Sequence, residues 1–418
     1  MLPIHQLAHP VAHPLAHPLA RSPALTRLRT SVATLLAALT LLALAGCADL
    51  GYLMQSANGH LTMMRAAKPI NDWQLDPQTS PELKVRLALA QKIRRFAATD
   101  LALPDNASYT RYADLKRRAV VWNVVAAPAT SLVLKTWCFP VTGCIGYRGY
   151  FEEDGAKALA AELKAQGLEV SVYGVPAYST LGWLNWAGGD PLLNTFINYP
   201  EGELARLIFH ELAHQVAYAK DDTTFNESFA TAVERIGGRQ WLAAQTTTQG
   251  GDEFNANSQR RAQFRALTVS TRRALNDIYQ SDKLAAQTPA AQIPAAQIPA
   301  AQILAQKNVA YQRFRAEYAE LKAQWMATSN LSADAALRQF GGYDQWVANA
   351  NNASFAAQAA YDELVPEFEN LFNQLASQSA NQPGPAWQRF YDAVKHLAQL
   401  PMAERRAALK NPAVLNHQ

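Results

Sequence analysis

The sequence predicts an α+β protein that is mostly helical, with a small β-sheet placed before a helix that carries the motif HELAH. Three observations support this fold class. β-Branched residues and alternating polarity mark strands between residues 119 and 175. Nearly every segment after residue 200 has the periodicity of a helix. Strands that precede a long helical half favour an α+β fold over a doubly wound α/β sheet.

Local patterns place the individual elements. A helix is expected to begin after Ser80 and Pro81, because serine suits the position before a helix and proline suits its first turn. Gly167 is expected to end a second helix, which starts at residue 152. The predicted strands cover residues 119–127, 131–137 and 168–175. The helices predicted in the second half cover residues 203–219, 225–235, 258–279 and 310–325, and further helices over 361–409 are broken at Gly384 and Pro385.

The first 46 residues have the layout of an export signal. They hold three arginines and no acidic residue, and an apolar run over residues 35–44 leads to Ala-Gly before Cys47. This ending resembles the lipobox of bacterial lipoproteins, in which the signal is cut before the cysteine and the sulfur receives a lipid. An anchor that is never removed is the alternative, but the run is short for a membrane span. The resemblance implies a mature chain that begins at a lipidated Cys47, and Ala48 indicates the outer membrane, facing the periplasm.

Removal of this signal leaves a nearly neutral chain. The sequence has 38 Lys and Arg against 34 Asp and Glu, and loss of three arginines leaves 35 against 34. Such a balance gives no electrostatic reason to expect a nucleic-acid partner. Export to an oxidising compartment also predicts a disulfide between the two remaining cysteines, Cys138 and Cys144, with an unpaired couple of thiols as the alternative.

These features divide the chain into three regions. The signal covers residues 1–46, N-terminal helices and the small sheet cover 47–200, and the helical region covers 201–418. Within the last region, residues 287–306 hold a five-residue repeat with prolines, which cannot continue a helix because proline lacks the amide donor. We interpret this insertion as a flexible loop between two helices; a proline-rich ligand for a partner protein is the alternative.

The motif HELAH at residues 210–214 has the spacing of a metal site. His210 and His214 are four residues apart, so both imidazoles project from one face of a helix. Two imidazoles and one carboxylate suit a zinc ion whose fourth position stays open for water. Glu211 is then placed to take a proton from the zinc-bound water as general base. Two histidines on a purely structural helix are the alternative.

Glu227 is the predicted third ligand, thirteen residues beyond His214 in the segment NESFA. The residues between them can turn the chain, and Thr223 or Thr224 is expected to cap a second helix that runs back past the first. A short turn brings the start of that helix level with the histidines, which favours Glu227 over Glu234 as the ligand. The candidates to orient the imidazoles through hydrogen bonds are then Glu234, Asn226 and Thr231.

HELAH followed by NESFA resembles the gluzincin metallopeptidases, whose aminopeptidase members carry HExxH and then a segment like NEGFA. The spacing is shorter here than in most gluzincins. The sequence is more closely similar to the predicted zinc aminopeptidase family of bacterial lipoproteins, over nearly the whole chain after Cys47. The segments that carry this similarity are YADLKRRAVVWNVVAAP, WCFPVTGCIGYRGYF, AYSTLGW, DPLL, HELAHQ, NESFA, NNASF and YDELVPEF. The resemblance implies one zinc ion per chain at His210, His214 and Glu227, catalysis by Glu211, and aminopeptidase activity on peptides.

Such chemistry also needs a donor that stabilises the negative charge developing on the carbonyl oxygen. The tyrosine candidates are Tyr178 and Tyr361, with Tyr150 and Tyr199 as further ones. A half-buried aromatic ring with no catalytic role is the alternative for each. Other candidates for substrate contacts are Arg148 for a peptide carboxylate, residues 168–175 for an edge strand, and Glu201, Glu203 and Asp222 for a free amine.

The sequence therefore predicts an exported zinc metallopeptidase that is held at a membrane by a lipid, and the resemblance favours an aminopeptidase. Two alternatives stay open. One is an endopeptidase or amidase that acts on envelope material. The other is a lipoprotein that keeps the zinc fold as a non-catalytic scaffold, although a purely structural site would not need a base at Glu211.

Overall fold

A computed structural model of the chain describes residues 51–139, 143–182, 185–245, 248–287, 300–329, 331–378 and 383–411. The predicted signal, the lipidation site Cys47 and residues 288–299 of the proline repeat lie outside these ranges. Asn58–Gln418 forms one compact unit.

Helices dominate the described residues and the strands are short, which agrees with an α+β fold. The helices are α1 (described over 51–66), α2 (Ile70–Leu75), α3 (Pro81–Thr99), α4 (Glu153–Ala165), α5 (Glu201–Ala213), α6 (Thr223–Ala243), α7 (Thr248–Gln287), α8 (Ala300–Thr328), α9 (Ala333–Asn349), α10 (Asn352–Ala359), α11 (Val365–Ser377), α12 (Pro383–Gln399) and α13 (Met402–Lys410). The strands are β1 (Lys68–Pro69), β2 (Arg111–Ala113), β3 (Val121–Pro128), β4 (Trp137–Phe139), β5 (Gly143–Ile145), β6 (Arg148–Tyr150), β7 (Leu168–Val175) and β8 (Leu192–Leu193). A search of the described helices finds none with the length and apolar character of a membrane span.

The main sheet has the order β6–β3–β7 and is antiparallel throughout. Helices cover both faces of its central strand: α4 packs against the face of Trp122 and Val124, and α10 against the face of Val125 and Ala127. β7 matches the predicted strand and lies at an edge of this sheet, as an added peptide strand would require. The remaining described strands form the order β1–β2–β8 and the hairpin β4–β5.

The strand predicted over residues 131–137 is wrong for most of its length. Residues 131–136 adopt no strand, and β6 pairs only with the start of β3. Lys135 N donates to Ala126 O at 2.8 Å, but the segment does not continue this contact as a regular ladder. Val133 is 68% exposed. Leu132 and Leu134 are partly buried against the core, so the alternating polarity reflects which side chains face the protein and not a ladder of backbone hydrogen bonds.

The predicted disulfide is present. β4 and β5 form a short hairpin in which Cys138 lies opposite Cys144, and their sulfur atoms are bonded.

Two helix boundaries near the predicted site differ from expectation. α5 ends at Ala213 rather than at residue 219, because the next amides bond three residues back: Val216 N donates to Ala213 O at 2.9 Å. α6 begins at Thr223, but its cap is Asp222, whose Oδ1 accepts from Phe225 N at 3.1 Å. The prediction of Thr223 or Thr224 as cap is therefore wrong.

Boundaries farther along the chain also differ. The helix break predicted at Gly384 and Pro385 is wrong, since α11 ends at Ser377 and both residues lie in the first turn of α12. Proline is tolerated there because first-turn amides have no partner within the helix. Both α7 and α8 are longer than predicted, and α8 begins at Ala300, directly after the last proline of the repeat.

α5 and α6 pack closely in the main hydrophobic core. A Cβ atom at Gly237 of α6 would lie 2.7 Å from Leu101 Cδ1 and 3.1 Å from Phe209 Cδ2, so glycine is needed for this approach. The apolar side of α5 is buried, with Leu204, Ile208 and Leu212 almost fully covered. The helix that carries HELAH is therefore packed firmly into the hydrophobic core.

Candidate metal centre

α5 carries both histidines on one face. His210 lies within the helix, and His214 follows its last residue with helical dihedral angles (φ −58°, ψ −22°). The shorter helix therefore keeps the four-residue relation that the sequence predicts. Both side chains are buried, and their Nε2 atoms lie 3.2 Å apart.

α6 brings Glu227 to the same point. Its Oε2 lies 3.4 Å from His210 Nε2 and 3.6 Å from His214 Nε2. Asp222 fixes where α6 begins, and the side chain of Asn226 bonds both the N–H and the carbonyl of Ala219 (2.7 and 2.8 Å). These contacts shape the turn between α5 and α6, so the predicted trio of His210, His214 and Glu227 does come together.

The donor atoms of this trio fit a zinc ion. Ligands at about 2.0–2.1 Å from a tetrahedral zinc stand about 3.3 Å from one another, and the separations here are 3.2, 3.4 and 3.6 Å. All three atoms lie within 4.8 Å of one another, in the only group of this kind found among the described residues. Two neutral nitrogens and one carboxylate are also the ligand types that zinc accepts.

Glu234 contacts the other nitrogen of His210. Its Oε2 lies 3.1 Å from His210 Nδ1, and its Oε1 accepts from Arg206 Nη2 at 2.5 Å. This geometry agrees with an orienting role for Glu234 and leaves Nε2 of His210 facing Glu227. A Cβ atom at Gly238 would lie 2.8 Å from Arg206 Cγ, so glycine makes room for the arginine.

The other two residues predicted to orient the imidazoles are placed differently. The prediction for Asn226 is wrong, because its side-chain amide forms hydrogen bonds with the backbone N–H and carbonyl of Ala219 and not with an imidazole. Thr231 is buried in α6. The Nδ1 of His214 is buried without a hydrogen-bond partner among the described residues, so the two imidazoles are held in different ways.

The charges at the site support one another. Burial alone would raise the pKa of Glu227, but His214 and His210 hold that pKa well below its usual value. Burial alone would lower the pKa of His210, but Glu227 and Glu234 hold it well above its usual value. The carboxylates and His210 therefore stabilise opposite charges at this site, which is the electrostatic environment that a bound cation requires.

Glu211 shares this environment without being one of the three donors. Burial raises its pKa, and the nearby His210 and His214 offset the shift only in part. A carboxylate with a raised pKa accepts a proton more readily, which is the property required of a general base.

Tyrosines surround the carboxylates, and the sequence identified only some of them. The ring of Tyr361 stacks near His210 with centroids 6.3 Å apart, whereas Tyr178 contacts the rings of His60 and Phe151 at 5.9 and 5.3 Å. Tyr150 packs against Gly155 of α4, and Tyr199 is 37% exposed.

Three further tyrosines were not predicted. Burial and then the charge of Glu227 raise the pKa of Tyr218 to about 12, and Tyr173 lies near the same carboxylate. Burial and then Glu211 raise the pKa of Tyr109, whose hydroxyl is buried without a partner among the described residues. These residues come from separate segments and carry no motif, so the sequence offered no signal for them.

The carboxylates predicted for a substrate amine are already engaged. Glu201 accepts from Trp241 Nε1 at 3.2 Å, and Glu203 pairs with Arg261 at 2.5 Å. Asp222 is buried as the cap of α6 and pairs with Arg405 at 2.8 Å. The prediction that these three are available is therefore wrong. Arg148 lies in β6 and is partly buried.

Comparison with known proteins gives one finding. Residues 51–409, which are most of the chain, match the family described as "Putative aminopeptidase". No curated protein and no solved structure gives a match. The description of the family supports a peptidase-like function. The chain belongs to this family.

Proposed function

We propose that the protein is a zinc-dependent peptidase and that it acts as an aminopeptidase. One observation carries the proposal: the side chains of His210, His214 and Glu227 converge at the spacing of a zinc site, with the carboxylate of Glu211 beside them. The family description supports the peptidase class, and from the word aminopeptidase in it we take a free N-terminus as the expected substrate feature.

In this proposal each residue has a separate task. His210, His214 and Glu227 hold the metal, which when bound supplies Lewis acidity to a substrate carbonyl and to a water molecule. Glu211 accepts a proton from the attacking water and delivers it to the departing amine. Glu234, held by Arg206, keeps the ring of His210 in position. Tyr361 is our candidate to donate a hydrogen bond to the carbonyl oxygen, because its ring stacks 6.3 Å from that of His210 and the charges of Glu227 and Glu211 act on its hydroxyl.

A panel of fluorogenic peptides tests this activity. Each sequence is offered with a free and with an acetylated N-terminus. We expect the free peptides to be cleaved one residue at a time from the N-terminus and the acetylated ones to resist. Internal cleavage of both the free and the acetylated peptides would show that the enzyme is an endopeptidase and not an aminopeptidase. Hydrolysis of peptidoglycan stem peptides alone would indicate an envelope amidase. If no substrate is hydrolysed, the alternative of a non-catalytic scaffold is favoured.

We also propose that the chain is an exported lipoprotein, on the strength of the signal and of Cys47. Mass spectrometry of membrane-extracted protein should find an N-terminal diacylglyceryl Cys47, and Cys47→Ser should leave the signal uncut. An unmodified Cys47, or a chain that still begins at Met1, would contradict the lipid anchor without touching the peptidase.

A further inference from the structure

The disulfide hairpin lies on the turn between the two helices of the metal centre. The N–H of Cys144 donates to Oδ1 of Asp221 at 2.6 Å. Asp221 belongs to the segment that joins His214 to the cap of α6. It has a positive φ of 64°, which is unusual for a residue with a side chain and needs support from its surroundings.

The fit between the hairpin and the turn is close. Gly143, next to Cys144, has a φ of +74°. A Cβ atom at Gly143 would lie 2.2 Å from Asp221 Oδ1 and 2.9 Å from Lys220 Cγ. Only glycine can therefore occupy this position while the hairpin stays in place, which indicates that the contact is a built part of the fold.

Other contacts hold the same turn from the opposite end. The buried Asp222 pairs with Arg405 at 2.8 Å and with Arg406 at 3.0 Å, both from α13. Asn226 bonds the backbone of Ala219 on both sides. Asp221 is the residue of this turn whose side chain bonds the hairpin, through the N–H of Cys144.

The disulfide closes a short hairpin. β4 and β5 are three residues each and pair with one another, without a third strand among the described residues. A hairpin of two short strands is marginally stable in water. The bond between Cys138 and Cys144 joins directly opposite residues, so it restricts the freedom of the open form and keeps the N–H of Cys144 directed at Asp221.

We infer that this disulfide hairpin is a positioning element for the metal centre. Through Asp221 it holds the turn at the conformation in which His214 and Glu227 match one ion. The inference rests on the proposed zinc site, and it assigns the disulfide a task beyond the stability of the fold.

A thermodynamic cycle tests the inference. Zinc affinity is measured by competition with a chromophoric chelator for the wild type, Asp221→Ala, the paired change Cys138→Ser and Cys144→Ser, and the combination of all three. We expect each set alone to weaken zinc binding roughly 10-fold, as for contacts that support metal ligands. The combined variant should bind zinc no more weakly than the more affected of its two component variants, because both sets of changes break the same connection. Asp76→Ala is the matched control and should bind zinc like the wild type, because Asp76 accepts a backbone hydrogen bond from Gln78 in the exposed turn between α2 and α3.

Two results would overturn the inference: wild-type affinity in Asp221→Ala or in the serine pair, or losses that multiply to about 100-fold in the combination. Hydrogen exchange of residues 217–222 in the metal-free proteins gives a second reading, which does not depend on zinc. Exchange should be faster in both variants and unchanged in Asp76→Ala. If the wild type binds no zinc, the proposed function fails, and the exchange data still decide whether the hairpin positions the turn.

Discussion

Replacement of Glu211 by glutamine is expected to leave the metal in place and to lower turnover by roughly 10²–10⁴-fold, the usual contribution of a general base. Glutamine keeps the size and shape of the side chain but cannot accept the proton of the attacking water. Glu211 is not one of the three donors that converge at the site, so its loss should not cost a ligand. Metal analysis and kcat, measured on the same preparation, separate the two effects.

Glu201→Gln provides a matched control at the other end of α5. Glu201 accepts a hydrogen bond from Trp241, away from the histidines, so this change should leave both zinc content and turnover near the wild type. Full activity in Glu211→Gln would contradict the hydrolytic mechanism. Loss of zinc in that variant would show that Glu211 is a ligand.

Replacement of Glu227 by alanine should remove zinc and activity together. The change deletes one of three donors and also removes the carboxylate that lies beside both Nε2 atoms, so that His210 keeps only Glu234 as a counter-charge. His210→Ala and His214→Ala should have the same effect. Glu234→Ala should be milder, with a loss of about 10–100-fold in zinc affinity or rate, because Glu234 contacts the far nitrogen of His210.

The comparison between Glu227 and Glu234 decides the ligand assignment. Zinc affinity of both alanine variants is measured alongside their melting temperatures, so that unfolding is recognised. Full zinc occupancy in Glu227→Ala, together with loss of zinc in Glu234→Ala, would show that Glu234 is the third ligand. The assignment of the two histidines would be unaffected.

The sequence was most informative where chemistry and local structure coincide. His210 and His214 could be placed because the four-residue spacing has one meaning on a helix, and Glu227 because a short turn limits how the next helix can return. The edge strand Leu168–Val175 and the helix after Ser80 were also predictable, since alternation and capping are local signals. The disulfide followed from the count of cysteines.

Predictions failed where distant residues decide the outcome. Thr223 and Thr224 are reasonable caps by themselves, but Asp222 is held by Arg405 and Arg406 from the end of the chain. The segment 131–136 has the polarity of a strand, but its described backbone bond to β3, from Lys135 N to Ala126 O, does not continue as a ladder. Neither the arginines that hold Asp222 nor the extent of pairing along residues 131–136 can be read from the local sequence.

One participant in the site had a signal that could have been used. Arg206 lies four residues before His210 in an otherwise apolar stretch of α5, so it had to share the face of the histidine. A buried arginine at such a position needs a carboxylate, and Glu234 is that partner. The tyrosines Tyr109, Tyr173 and Tyr218 offered nothing comparable, because only tertiary contacts bring them to Glu211 and Glu227.

Titration of zinc into the metal-free protein tests the central claim most directly, with hydrolysis of a peptide that has a free N-terminus as the readout. The proposed centre predicts no hydrolysis without metal, a rise in proportion to added zinc, and a plateau at about one zinc ion per chain. Hydrolysis that persists in the metal-free protein, or that does not respond to zinc, would contradict the assignment of His210, His214 and Glu227 as a catalytic zinc site.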